Sequence, residues 1–155
     1  MSNPDVHAYK QRLDELFDSA NRLPEEPSSV KAHWARYLCV VTSGFVETSV
    51  RAVYEEYARG KSHANVAAFV AVSLERLQNP KMEKILEVTR SFSADWEDEL
   101  RRATEGALKD AVDTIVANRN QLAHGRDVGI TVARMKDCYA AARAVIDLIE
   151  AQCSD

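Results

Sequence analysis

The sequence predicts an all-α protein, a bundle of long helices with additional short helices. Glycine occurs only five times and proline four times among 155 residues, so few positions interrupt a helix. Alanine, leucine, glutamate and arginine are abundant, and apolar residues recur at spacings of three and four. No turn sequence typical of a β-hairpin is present. A chain of this length suits one domain, which we expect to span residues 1–155.

Two helices are predicted in the first part of the chain. The first covers residues 6–22 and ends before the prolines of a connector over residues 24–29. The second covers residues 30–59, and Gly60 closes it. Between residues 37 and 46 this helix is apolar on nearly all sides, which is typical of a helix that others surround. We therefore expect it to be the centre of the bundle.

Shorter elements are predicted in the middle of the chain. Apolar spacing favours a helix over residues 63–78, which the pair Asn79-Pro80 separates from a second short helix over residues 81–92. The stretch over residues 96–102 is too charged to form a core by itself. Gly106 then marks a bend that leads into the next long helix.

The last two helices are predicted to pack antiparallel, because a short loop joins them. The first of the two ends at His124, and Gly125 is the residue type that most often provides a left-handed helix end. Thr131 is placed to cap the final helix, which continues to about Cys153. The helix that ends at His124 has one apolar stripe. It consists of Leu108, Ala111, Val112, Ile115, Val116 and Leu122.

Composition and charge exclude several classes of protein. A formal net charge of −4 argues against a protein that coats nucleic acid through a broad basic face, so any such contact must be local. No stretch approaches the roughly 18 apolar residues that cross a bilayer, so no membrane partner is expected. Cys39 and Cys138 lie in apolar helical patterns and should be core residues. Three cysteines at spacings that match no zinc motif, and an N-terminus without an apolar signal region, predict a cytoplasmic protein. The histidines other than His124 are isolated, so we expect no metal and no cofactor.

Arg119 is the candidate residue for binding an anion. At about 100° per residue it lies near the middle of the apolar stripe, so its guanidinium is directed toward the core. Desolvating a cation that cannot lose its proton is costly unless an anion or water accompanies it. We therefore expect an anionic group to meet Arg119.

Asn120 and His124 are the candidate partners of that arginine. They are separated by four residues and share one flank of the helix beside the stripe, so they would line one groove. A permanent cation and a titratable imidazole five residues apart suit chemistry on a phosphodiester. Arginine and histidine near a helix end are also ordinary capping groups, and this alternative remains open.

Three further charged residues have candidate supporting roles. Glu47 interrupts the apolar part of the second helix and could neutralise or orient Arg119. The alternative is an ordinary helical ion pair with Arg51, worth about 0.3–0.5 kcal/mol. Arg126 and Arg134 follow His124 in the chain and are candidates for local contacts with nucleic-acid phosphates, with simple solvated charges as the alternative.

The segment Arg-Asn-Gln-Leu-Ala-His-Gly over residues 119–125 resembles the motif of the HEPN superfamily. That motif is an arginine followed after four to six residues by a histidine, commonly with a polar residue directly after the arginine. Here the gap is four and the polar residue is Asn120. The Ala-His-Gly ending and the segment over residues 45–47 on a long early helix are most similar to RiboL-PSP-type HEPN domains.

The resemblance implies a homodimer in which two copies of the motif face each other across a cleft and cleave RNA without a metal. Arg119 would bind the scissile phosphate, His124 would act as general acid and base, and Asn120 would orient the imidazole or the phosphate. Such proteins often serve as toxins or in phage defence, so the implied partners are RNA and a cognate antitoxin or defence protein. In some HEPN toxins a partner nucleotidyltransferase modifies a tyrosine two residues after the histidine and so silences the toxin. That position is Arg126 here, so the resemblance does not imply this mode of control or this partner.

Two functions without catalysis remain as alternatives. One is a HEPN-like dimerisation module that binds RNA, a nucleotide or a protein without cutting anything, and the negative net charge favours it. The other is a purely structural dimerisation module, which gives Arg119 no reason to face the core.

Overall fold

The structure is a computed structural model that describes residues 3–23 and 28–154. Seven α-helices and no strand occur in those residues, which confirms the all-α prediction. The helices are α1 (Pro4–Asn21), α2 (Ser28–Lys61), α3 (Ala64–Leu74), α4 (Met82–Phe92), α5 (Ala94–Thr104), α6 (Ala107–Ala123) and α7 (Val132–Cys153). In the predicted connector, residues 24–27 lie outside the described part of the chain. None of the helices in the described ranges combines the length and apolar character that crossing a bilayer requires.

The four long helices α1, α2, α6 and α7 supply most of the core, with α2 at its centre as predicted, and α4 and α5 contribute further buried residues. Helix α2 packs against α1, α3, α6 and α7, and α6 packs against α7. Leu13, Leu38, Ile115 and Ile146 are completely buried where these helices meet. Each such side chain contributes about 1.5–3 kcal/mol relative to an exposed position. Apolar burial therefore fixes the position of α6, the helix that carries the candidate site.

Side-chain caps define the starts of α1 and α7. Helix α1 begins at Pro4, two residues earlier than predicted, because Asn3 caps it and accepts the N–H of Val6 at 3.2 Å. Thr131 caps α7 as predicted, since its hydroxyl oxygen accepts the N–H of Arg134 at 3.1 Å. Both helices thus begin where a short polar side chain satisfies an otherwise unpaired N–H group.

The prediction that Gly60 closes α2 is wrong. The helix continues through Gly60 to Lys61, and Gly60 does not adopt the positive φ typical of a helix end. The helix is followed by Ser62, whose backbone N–H and hydroxyl both donate to the carbonyl oxygen of Ala58, at 3.0 and 2.6 Å. A serine side chain therefore satisfies the terminal carbonyl without a left-handed glycine.

Helix α3 ends four residues before its predicted end at residue 78. Arg51 of α2 donates to the carbonyl oxygens of Glu75, at 3.0 Å, and Leu77. These carbonyls bond to a side chain from another helix instead of continuing the helical ladder. Asn79 then adopts a φ of +44°, and the chain turns into α4 at the predicted Asn-Pro break.

The charged stretch over residues 96–102 forms most of α5, an amphipathic helix. Leu100 is buried in the core. Glu97 is also buried, and its carboxylate lies 2.9 Å from Arg101 and 3.5 Å from Arg90. Glu97 and Arg101 are therefore paired beside one apolar face, so a segment with few apolar residues still packs as a helix.

Candidate functional site

Arg119 continues the buried stripe of α6 toward the end of the helix. Ala111, Val112, Ile115 and Val116 are buried along this stripe, and Arg119 follows at the same spacing as a half-buried residue. Its guanidinium makes no hydrogen bond or ion pair with any residue in the ranges 3–23 and 28–154. The end of α6 therefore carries a cation on a half-buried residue without an anionic partner in those ranges.

His124 is the capping residue of α6, where a Schellman motif ends the helix. Gly125 has a φ of +71°, the left-handed conformation that glycine adopts at little cost. Its N–H donates to the carbonyl oxygen of Leu122 at 3.0 Å, and the N–H of Arg126 donates to that of Gln121 at 3.0 Å. The prediction that Gly125 ends this helix is confirmed, and His124 sits at a well-defined helix end.

Asn120 and His124 are both exposed on α6. Residues four positions apart on a helix have their Cβ atoms about 5–6 Å apart, so these two form one surface pair. Arg119 lies about 140° around the helix axis from His124 and about 7.5 Å along it. By helical spacing, one chain therefore places Asn120 and His124 on one flank of α6, and it places Arg119 on a different side, which faces the core.

Two contacts from α2 set its level and direction relative to α6. The thiol of Cys39 donates to the carbonyl oxygen of Ile115 at 3.5 Å. Three residues earlier on α2, NH2 of Arg36 lies 2.6 Å from Oδ1 of Asp127, which follows α6 in the chain. Since earlier residues of α2 meet later residues of the α6 region, the two helices run antiparallel.

Glu47 has local partners in the structure. One of its carboxylate oxygens lies 3.3 Å from NH2 of Arg51, and the other accepts the N–H of Asn79 at 2.5 Å. The first contact is the helical ion pair with Arg51, the alternative role of Glu47 predicted from the sequence. The second contact holds the turn before α4. Glu47 thus helps to shape the connection between α3 and α4.

The antiparallel packing separates Glu47 from Arg119 within one chain. Glu47 lies eight residues beyond Cys39 on α2, and Arg119 lies four residues beyond Ile115 on α6, in the opposite direction. At 1.5 Å per residue, the two charged residues are about 18 Å apart along the bundle. Neutralisation of Arg119 by Glu47 of the same chain is incompatible with this distance.

Arg126 and Arg134 are exposed next to the end of α6. Arg126 donates to the side-chain oxygen of Gln121 at 3.1 Å, a neutral partner that leaves its charge uncompensated. The backbone N–H of Arg134 is used in the cap of α7, and its side chain extends into solvent. Arg126 therefore presents positive charge two residues after the exposed His124, and Arg134 presents it in the first turn of α7.

Arg36, His33 and Asp127 were missed by the sequence reasoning. Arg36 contacts Asp127 and also lies 3.2 Å, through NH1, from Nδ1 of His33. Arg36 and Asp127 are 91 residues apart in the sequence, and no spacing rule connects them. Only the packing of α2 against α6 brings this arginine to the end of the bundle that carries the motif.

The outer face of α2 near this end is apolar and uncovered in the single chain. Tyr37 is 50 % exposed and Val40 is 45 % exposed, and Val30 lies on the same side. The ring of Trp34 contacts that of Tyr37 edge-on at 6.2 Å. The region predicted to be apolar on nearly all sides thus has one face that no helix of the described chain covers.

The cysteines are free thiols in the structure, and the prediction that Cys39 and Cys138 are core residues is confirmed. Burial, with a smaller effect of Cys138, raises the pKa of Cys39 to about 11, and burial raises the pKa of Cys138 as well. These thiols are therefore protonated at neutral pH and act as small apolar side chains. Within the described ranges, no group of three His, Cys, Asp or Glu side chains is arranged to hold a metal ion.

A protein-family model described as RiboL-PSP-HEPN matches residues 7–155 of the chain. The match extends from α1 to the C-terminal end of the chain and includes the segment over residues 119–125. No curated protein and no solved structure is significantly similar to this chain.

Proposed function

Since the chain belongs to the RiboL-PSP-HEPN family, we propose that it is a metal-independent endoribonuclease that acts as a homodimer. The observation that carries the proposal is the half-buried residue Arg119, whose guanidinium lacks a partner among the described residues. The exposed side chains of Asn120 and His124 lie on another side of the same helix end. Such a site attracts an anion and can transfer protons, and a phosphodiester of RNA supplies the anion.

The reaction that suits this site is attack of a 2′-hydroxyl on the neighbouring phosphorus. RNA carries this nucleophile itself, so the protein needs only proton transfer and stabilisation of the charge on the phosphorane. Arg119 binds the non-bridging phosphate oxygens, and His124 takes the proton of the 2′-hydroxyl or protonates the leaving 5′-oxygen. Asn120, on the same flank, orients the imidazole or the phosphate. The bond from phosphorus to the 5′-oxygen breaks, which gives a 2′,3′-cyclic phosphate and a 5′-hydroxyl end.

Two features support a dimer as the active form. One imidazole cannot be base and acid in the same step, so a second His124 from a partner chain divides the two roles. The uncovered apolar face of α2, with Tyr37 and Val40, lies at the same end of the bundle and is suited to burial against a second copy. On this proposal the monomer is nearly inactive.

The biological role that follows from this activity is that of a toxin or a phage-defence effector. An endoribonuclease that needs no metal and no cofactor acts as soon as it is free of an inhibitor, so a cognate antitoxin or defence partner would control it. Expression in cells tests this role directly. We expect growth arrest with the wild-type chain and normal growth with His124→Ala.

The decisive experiment is cleavage of RNA by the purified protein in excess chelator. Wild type should cleave, and Arg119→Ala and His124→Ala should each lower the rate by at least about 100-fold, the range of one general acid or base. Arg102→Ala and His63→Ala are matched controls, because both residues are exposed and lie away from the end of α6. These controls should retain the wild-type rate.

Two results would contradict the nuclease proposal. Undiminished cleavage by folded His124→Ala would exclude the proton transfer, and cleavage that requires an added divalent ion would exclude the metal-independent mechanism. Circular dichroism of each variant checks that the helices remain. End analysis of the products separately tests for the 2′,3′-cyclic phosphate.

A module that binds a partner without cutting RNA is the second candidate. Helix α3 favours it, because Val66, Phe69 and Val72 are more than half exposed and α3 contains no charged residue. The net charge of −4 also favours a protein partner over RNA. RNA binding or protein binding that is unchanged in Arg119→Ala, with no cleavage by wild type, would support this candidate over the nuclease.

A further inference from the structure

Arg36 of α2 forms an ion pair with the loop that follows the candidate site. NH2 of Arg36 lies 2.6 Å from Oδ1 of Asp127, three residues after His124, and NH1 lies 3.2 Å from Nδ1 of His33. The Arg36 side chain is half-buried, and its Nε is buried with no partner among the described residues. The Asp127 side chain is 83 % exposed. A half-buried cation is thus paired with an exposed carboxylate in the loop after α6.

The packing of α2 against α6 places Arg36 beside the end of α6 that carries Arg119. Cys39 of α2 contacts Ile115 of α6. Arg36 lies three residues before this contact on α2, and Arg119 lies four residues after it on α6. Because the helices are antiparallel, the two arginines are at about the same level of the bundle. Two helices therefore contribute one cation each to the same end of the molecule.

The Arg36–Asp127 ion pair is suited to exchange for a phosphate. Exposed ion pairs contribute little to stability because water and salt compete with them. A guanidinium binds a phosphate through two parallel charge-assisted hydrogen bonds, which are stronger than a single exposed contact. Asp127 lies in a segment without regular secondary structure, so its carboxylate can leave without disturbing a helix.

We propose that Arg36 is a second phosphate-binding residue of this site and that Asp127 masks it until an RNA phosphate displaces the carboxylate. The inference rests on the proposed function, since RNA is the ligand that presents successive phosphates to Arg119 and Arg36. Arg119 binds the scissile phosphate, and Arg36 binds a neighbouring one. Asp127 acts as an internal competitor of the substrate.

A different explanation of the same ion pair is a tether that holds the loop after His124 against α2. The two explanations predict opposite changes of RNA affinity when the Asp127 carboxylate is removed. A tether is broken equally by Arg36→Ala and Asp127→Asn, so both variants would bind RNA more weakly. A competitor gives opposite effects, because Arg36→Ala removes a phosphate contact and Asp127→Asn unmasks it.

The experiment measures the affinity of full-length protein for a short fluorescein-labelled single-stranded RNA, in the His124→Ala background so that no cleavage occurs. Arg36→Ala should weaken binding roughly tenfold, and Asp127→Asn should tighten it about 2- to 5-fold. In the Arg36→Ala background, Asp127→Asn should have no further effect. Arg36→Ala should also lower the slope of log affinity against log salt by about 0.7, the value for one phosphate of a single strand.

Matched controls separate these effects from a general change of charge. Asp98→Asn and Arg102→Ala remove one negative and one positive charge, as the two test substitutions do, but at exposed positions of α5 near the opposite end of α6. Both should leave the affinity within about twofold of the background. Thermal unfolding of each variant checks that the bundle is intact.

The outcomes distinguish this inference from the nuclease proposal. If Arg36→Ala weakens RNA binding and Asp127→Asn tightens it, while the wild-type protein cleaves no RNA, the phosphate site is supported and the nuclease is rejected. Equal signs, no change in either variant, or no binding in any variant would overturn the inference, even where the wild type cleaves RNA. A persistent effect of Asp127→Asn without Arg36 would also overturn it.

Discussion

Replacement of Gly125 by alanine should loosen the end of α6 that carries His124. Gly125 has a φ of +71°, and no atom lies within 4 Å of the position that a Cβ would take. The cost is therefore conformational and not steric, about 1–2 kcal/mol for an L residue in the left-handed region. In a domain of this size, such a loss lowers Tm by about 2–8 °C.

Two other glycines of the chain provide matched controls for this substitution. Gly129 also has open space around it but no positive φ, so Gly129→Ala should change stability by less than about 0.5 kcal/mol. Gly106 has a φ of +92° at the opposite end of α6, so Gly106→Ala should destabilise at least as much as Gly125→Ala. Thermal unfolding followed by circular dichroism measures all three variants.

The RNA cleavage assay then separates stability from placement of the imidazole. At a temperature where all variants are folded, Gly125→Ala should cleave at least about tenfold more slowly, because a misplacement of about 1 Å can cost about 100-fold. Gly106→Ala should keep nearly the wild-type rate. The reasoning is refuted if Gly125→Ala unfolds at the wild-type temperature, or if the two variants lose activity equally.

Three further predictions follow from buried and exposed groups. Tyr37→Glu should convert the dimer to a monomer and abolish cleavage, as measured by light scattering and the RNA assay. A dimer that persists in this variant would show that the apolar face of α2 is not the dimer interface. Tyr54→Phe removes a buried 2.6 Å hydrogen bond to Thr89 and should cost about 1 kcal/mol, so an unchanged urea midpoint would contradict it. Burial raises the pKa values of Cys39 and Cys153 to about 11, so iodoacetamide should label both slowly in native protein at neutral pH and quickly in guanidinium. Rapid native labelling would argue against their burial.

The sequence predicts well those features that depend on residues close together in the chain. Thr131 caps α7, and Gly125 ends α6, because each acts on backbone groups within a few residues. The helical stripe that includes Arg119 is a local periodicity for the same reason. The residues of the candidate site could thus be proposed from the sequence alone.

Features that depend on distant contacts could not be predicted in this way. Helix α3 ends early because Arg51, 26 residues before Leu77, takes up the carbonyl groups that follow it. Glu47 holds Asn79 in the same connection, 32 residues away. The position of Arg36 beside the motif likewise requires knowledge of how two helices pack.

Helix α6 has a fixed length, because Gly106 precedes its first residue and Gly125 follows its capping residue His124, and both glycines have positive φ. A residue inserted or deleted between them would rotate everything beyond it by about 100°. Arg119 would then leave the apolar stripe, or His124 would move to another side of the bundle. Family members should therefore differ in length within the loops on either side of this helix, while the count of residues from one glycine to the other stays constant.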